Sequence, residues 1–188
     1  CMPCQSTRNF GEDLDDATTL AEQFGIENIV VDLTQAKAAV TEGIEKELDV
    51  TPEASSNIAP RLRMTTLYAI AQSKGYLVAG TGNKSEYYMG YFTKWGDGAH
   101  DFNPISDLTV TEIYEFLRYL DAPACIIEKA PSAGLFDGQT DEADMGLKYA
   151  DLDEYILTGH TNEKAAATIE RLHRNSRHKR DGIARFSR

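Results

Sequence analysis

Apolar residues along this chain change period several times. Over residues 13–24, Leu14, Ala17, Leu20, Ala21 and Phe24 recur at spacings of one, three and four, and Gly25 stands just beyond them. That pattern predicts an amphipathic helix closed by a glycine. Ile29-Val30-Val31-Asp32-Leu33 follows as a short β-branched run and predicts a buried strand. A second helix is expected over 35–47, a loop over 51–56, and a longer helix reaching residue 73, capped by Ser56 or Asn57. Pro60 is tolerated there because it falls in the first turn, where no backbone N–H is needed. Residues 76–79 read as another strand. The order helix, strand, helix, helix, strand predicts an α/β fold with a parallel sheet flanked by helices.

Further along, Thr109 and Glu112 form a capping box that opens a helix over 110–120, with Pro123 beyond its end. A short helix over 151–157 closes at Gly159, and 162–173 reads as Ala-rich and amphipathic. Between the helices 110–120 and 151–157, residues 131–142 are polar and glycine-rich and read as a mobile loop.

Composition narrows the function classes. The 188 residues hold 19 basic and 30 acidic side chains, a net charge of −11, so a nucleic acid would meet repulsion over most of the surface. A small anion can still bind where a few cations converge, because fields within a Debye length decide that. Cys1, Cys4 and Cys125 make an odd set, which argues against a disulfide framework and for a reducing cytoplasm. The Cys1–Cys4 spacing is read as two cysteines near a buried strand end, because no second such pair and no nearby histidine completes a metal site. No apolar run is long enough to cross a bilayer, so neither a nucleic-acid nor a membrane partner is expected. Cys1-Met2-Pro3 reads as the end of a strand whose body lies upstream.

The candidate chemistry clusters in the stretch 80–98. Gly80-Thr81-Gly82-Asn83 comes directly after the strand 76–79, where ligands sit in open parallel sheets. Glu86 lies one turn into a short helix starting near Asn83 and can hold a magnesium ion carried by a nucleotide, or be a solvated charge at a helix start. Lys94 and Asp97 flank Trp95 and Gly96 in a segment without period, either a surface loop or the rim of an anion pocket. Arg61 and Arg63, two apart on a helix, point to different sides. His100 alone is weak ground for catalysis. Arg177-His178-Lys179-Arg180 reads as a solvated tail, or as a tail folded over an anionic ligand.

Taken together, GTGNKSE, GYFTKWGDG, KAPSAGL, DGQTDE and the terminal HKR resemble the ammonia-dependent NAD synthetase family, in that family's order and through almost the whole chain. The resemblance implies an adenine-nucleotide α-hydrolase-like (Rossmann-like) sheet flanked by helices. It makes residues 1–188 one domain that lacks an N-terminal strand and helix, and it implies a homodimer. The implied reaction is ATP-dependent amidation of deamido-NAD to NAD with ammonia, through an adenylated nicotinate carboxylate, releasing AMP and pyrophosphate. It assigns Thr81 and Ser132 to ATP, Glu86 to Mg²⁺, and Arg61, Lys94, Asp101, His178 and Lys179 to deamido-NAD. The segment 132–142 matches one that orders over the nucleotide and shields the adenylate from water.

Three departures accompany these matches. The family's SGGxDS phosphate-binding loop precedes Cys1 and is absent, so the 188 residues alone are not expected to turn over. Val110 stands where the family commonly has an ATP-contacting lysine, and Pro60 where it usually has alanine. Two alternatives stay open: another adenylating amidase on the same fold, and a non-catalytic dinucleotide-binding remnant.

Overall fold

A computed structural model describes residues 1–4, 11–132, 134 and 138–187. Residues 133 and 135–137 of the expected loop lie outside the described residues. The predicted helices form close to their expected bounds: α1 (Glu12–Phe24), α2 (Thr34–Glu45) and α4 (Ile58–Lys74). Gly25 ends α1 at φ +63°, a left-handed conformation that costs glycine little. The expected loop at 51–56 is instead a short helix, α3 (Pro52–Ser56). Thr51 accepts from the Ala54 N–H and Pro52 fills the first turn, so the polar run is a helix start.

Two capping boxes set the next helices. Asn83 and Glu86 open α5 (Lys84–Met89), and Thr109 and Glu112 open α6 (Val110–Tyr119). In each, the cap side chain accepts from the third N–H while the carboxylate accepts from the cap's own N–H. Short α7 (Ala124–Ile127) and α8 (Asp141–Met145) follow, then α9 (Tyr149–Thr158), α10 (Glu163–Asn175) and α11 (Arg177–Arg180).

The two expected strands are extended, but no named strand is assigned among the described residues. Val31 N–H donates to Cys1 O at 2.9 Å and Leu33 N–H to Pro3 O at 3.0 Å, a parallel register between 1–3 and 29–33. Pro3 has no N–H to return a bond, which interrupts that ladder. Residues 76–79 make one isolated parallel bridge, Ala79 to Phe102, in which Gly80 N–H reaches Phe102 O at 2.6 Å. Burial also departs from expectation: Val78 and Leu33 are buried, while Ile29, Val30, Tyr76 and Leu77 are exposed.

The larger core joins α5, α6, α9 and α10. Leu152 and Ile169 are fully buried against Met89, Val110 and Tyr149. Val110 is thus a packing residue at its position, and no cation reaches a ligand from there. A polar clamp runs through the same region. Ser85 Oγ donates to Asp153 Oδ1 at 2.5 Å, and Asp153 Oδ2 accepts from Thr111 N–H at 2.8 Å and Thr111 Oγ1 at 2.7 Å. Ser85 and Asp153 are buried, so one carboxylate fixes α5 and the start of α6 onto α9. A smaller core of Cys4, Leu33 and Ala59 lies beside α4, where Cys4 Sγ is 3.7 Å from Leu33 O.

Candidate functional site

The bend after residue 79 brings the glycine-rich stretch to the start of α5. Gly80 is needed for an internal contact: a Cβ there would lie 2.6 Å from Cγ of His100, whose ring covers the main chain. The space at Gly80 is therefore filled by His100, whereas a Cβ at Gly82 would meet only Glu86 Oε2, at 3.8 Å.

Beyond these glycines opens a cavity of about 790 Å³. Thr81, Glu86, Ser132 and Lys179 all line it, so four residues from three distant parts of the chain share one space. Arg63, Tyr91, Asp97, Gln139, Asp141 and Asp144 complete much of its polar wall. A second cavity of about 480 Å³ shares Arg63 and Ser132 with it.

Burial governs the charge of this wall. Glu86 is pushed up to about 7, chiefly by burial and further by Asp141 and Asp97, against the pull of the Asn83 N–H. Tyr149 and Tyr91 are raised by burial and by the neighbouring Asp141. Tyr149 donates to Asp141 at 3.0 Å and Tyr91 to Asp144 at 3.0 Å. Lys179 is lowered by burial, with Asp97 opposing that shift. Its Nζ donates to Gly90 O at 2.7 Å and Phe92 O at 2.6 Å.

The C-terminal residues are docked rather than trailing. Ser176 lies buried against Gly90, where a Cβ would sit 2.2 Å from its own, and Ser176 Oγ donates to Met89 O at 2.9 Å. Arg180 reaches Tyr88 O at 3.1 Å and also bonds His173 O. The reading of 177–180 as a solvated tail is thus replaced in part: Lys179 and Arg180 satisfy carbonyls at the end of α5, which attract cations, while Arg177 and His178 stay exposed.

Arg61, Lys94 and His178 form a separate group outside the cavity lining. Arg61 Nε donates to Lys94 O at 3.4 Å, and Lys94 Nζ donates to His178 O at 2.5 Å. Arg63 turns the other way, to Met2 O at 3.1 Å, as the two-residue spacing predicts. Asp101 stands apart from both groups. Its Oδ2 accepts from Val78 N–H at 2.7 Å and its Oδ1 from Tyr68 at 3.3 Å, so its carboxylate holds residue 78 to the following loop.

Among the described residues no group of three His, Cys, Asp or Glu side chains could enclose a metal. Glu86 nonetheless faces the cavity with one oxygen on the Asn83 N–H, at 2.7 Å. A single carboxylate suits Mg²⁺, which keeps waters and takes phosphate oxygens from a nucleotide. Sequence reasoning passed over Gln139 and Asp141 as individual residues. Their signal is the stretch DGQTDE, which reads as part of a polar loop and belongs to the segment that the resemblance places over the nucleotide.

Comparison with known proteins gives a consistent picture. The sequence profile described as NAD synthase matches residues 1–182. The NH(3)-dependent NAD(+) synthetase of Carboxydothermus hydrogenoformans is 49% identical over 181 residues, 95% of this chain and 73% of that protein. Among solved structures, the NMN synthetase of Francisella tularensis superposes with a TM-score of 0.92 at 38% identity, covering 98% of this chain and 76% of that one. The NH3-dependent NAD synthetase of Campylobacter jejuni gives a TM-score of 0.75 at 27% identity, covering 99% and 76%.

Proposed function

The chain belongs to the NAD synthase family, and on that premise we propose that it catalyses ATP-dependent amidation of deamido-NAD to NAD, with ammonia as the nitrogen donor. The supporting observation is the single cavity that gathers Thr81, Glu86, Ser132 and Lys179. The fold read from this is a parallel sheet flanked by helices, of the adenine-nucleotide α-hydrolase type, with residues 1–188 in one domain. We further read the protein as a cytoplasmic homodimer. Exposed Phe116, Tyr119 and Leu120 on one end of α6 support an apolar contact.

A carboxylate is a poor acyl donor, so the chemistry proceeds in two displacements. The nicotinate carboxylate oxygen attacks the α-phosphorus of ATP, and the bond to the β-phosphate breaks to release pyrophosphate. Ammonia then attacks the acyl carbon, AMP leaves, and the nitrogen loses a proton to solvent. Two anions must approach in the first displacement, so positioning and charge compensation carry the rate, with no nucleophilic side chain required.

The residues suit those tasks. Thr81 and Ser132 offer hydroxyls to ATP. Lys179 brings a cation to the cavity wall, while Arg61, Lys94, Asp101 and His178 are assigned to deamido-NAD. Glu86 would hold Mg²⁺, which when bound offsets the phosphate charge. Segment 132–142 is read as a cover that keeps water from the adenylate.

A second reading has its own support. The high superposition on a protein named NMN synthetase favours the mononucleotide of nicotinate as an alternative acceptor at the same site. Full-length protein with ATP, Mg²⁺ and ammonium should release pyrophosphate only when deamido-NAD is added. Glu86→Ala and Lys94→Ala should each lower the rate at least tenfold. Wild-type rates in both variants would overturn the site, and a preference for the mononucleotide would select the second reading.

A further inference from the structure

Trp95 is the only tryptophan of the chain, and it is held in a conformation that large side chains avoid. Its φ is +63°, in the left-handed region, where a bulky side chain crowds its own backbone. Core packing does not hold it there, because the residue is 53% exposed and belongs to neither hydrophobic core.

The surrounding loop imposes the conformation. Gly96 N–H donates to Thr93 O at 2.9 Å and Gly98 N–H to the same oxygen at 3.3 Å. Thr93 is fastened in turn, its N–H to Asp97 Oδ1 at 3.0 Å and its hydroxyl to Asn57 Oδ1 at 2.6 Å. Gly96 lies buried with no room for a side chain, since a Cβ would come within 2.9 Å of Pro60. A turn fixed on both flanks thus presents an indole outward, and backbone strain of this kind concentrates at ligand-binding positions.

One cation lies over the ring. Lys94 Nζ lies 5.6 Å from its centroid and is held there by donating to the main-chain oxygen of His178, while the main-chain oxygen of Lys94 accepts from Arg61 Nε. An exposed aromatic face beside fixed positive charge matches a nucleotide, whose base is planar and whose phosphate is anionic. We propose that Trp95 is a stacking platform for a heteroaromatic ring of the pyridine-nucleotide substrate, with the adjoining phosphate directed to Lys94 and Arg61. This rests on the function proposed above and adds a contact to which neither the family resemblance nor the comparisons assign a role.

Two variants of the full-length enzyme test it. Trp95→Phe keeps an aromatic face, and Trp95→Gly removes the face while fitting the positive φ without strain. Trp95→Gly should raise KM for the pyridine nucleotide about tenfold, with KM for ATP unchanged and the melting temperature within a few degrees of wild type. Trp95→Phe should recover most of that loss. In direct titrations, deamido-NAD should quench fluorescence that is present in wild type and missing from Trp95→Phe. Nicotinate mononucleotide and AMP, titrated separately, distinguish a pyridine from an adenine as the stacked ring. An active enzyme whose Trp95→Gly variant keeps the wild-type KM, or whose Trp95 signal ignores all three ligands, would overturn the platform while leaving the amidation intact. An enzyme that releases no pyrophosphate with deamido-NAD, yet whose Trp95 is still quenched by deamido-NAD or nicotinate mononucleotide, would overturn the amidation and leave the platform standing.

Discussion

The ammonium of Lys94 donates to the main-chain oxygen of His178 at 2.5 Å. One cation thereby ties the loop after α5 to α11, across 84 positions of sequence. Lys179, the next residue, turns the opposite way and lines the large cavity. The short C-terminal helix thus joins the two groups of residues that the resemblance assigns to substrate.

Lys94→Ala should therefore loosen the C-terminal residues without unfolding the protein. The lost bond is partly exposed, so global stability in urea should fall by about 1 kcal/mol. Amide exchange at 177–182 should accelerate much more than exchange in α9 or α10. Equal protection of 177–182 in both proteins would show that Lys94 does not hold α11.

Asp153 should matter to the fold far more than its distance from the cavity suggests. Asp153→Ala leaves the buried Ser85 hydroxyl without an acceptor and takes away the carboxylate that the Thr111 N–H and hydroxyl donate to, at a cost of about 2 kcal/mol. Asp153→Asn keeps an acceptor oxygen and should cost about half as much. Urea midpoints of the two variants, with a double-mutant cycle on Ser85→Ala and Asp153→Ala, measure the clamp. A coupling near zero in that cycle would mean that Ser85 and Asp153 act independently.

Glu86 should make stability depend on pH in metal-free protein. Its ordinary value is 4.5 and its folded value is about 7, so between those limits the folded state holds a proton that the unfolded chain has released. Stability is greatest below the lower value, falls as pH rises through the window, and is level above it. At roughly 1.4 kcal/mol per unit the fall is about 3 kcal/mol. Glu86→Gln should remove that slope and stabilise the protein above neutrality. Identical pH profiles for wild type and Glu86→Gln, measured by denaturant unfolding, would contradict the shift.

Helix positions were legible because their causes are local. Gly25 ends α1 and Gly159 ends α9 in left-handed conformations, and Thr109 with Glu112 begins α6, each within one turn of chain. The segment 51–56 was misread because Thr51-Pro52 serves equally as a turn and as a helix start. The extended segments were recognised by their β-branched residues, but their exposure was not foreseeable. Ile29 and Val30 carry a buried strand's composition without a partner over them among the described residues.

By itself the sequence determined the helices, their caps, the acidic surface charge and the motifs that define the family, because these depend on neighbours along the chain. Only tertiary structure decided which charges meet. It placed Thr81, Glu86, Ser132 and Lys179 around one cavity, spent both oxygens of Asp101 on residues 68 and 78, and docked 176–180 against Gly90. Burial and pairing depend on atoms far apart in sequence, and spacing carries no record of those distances.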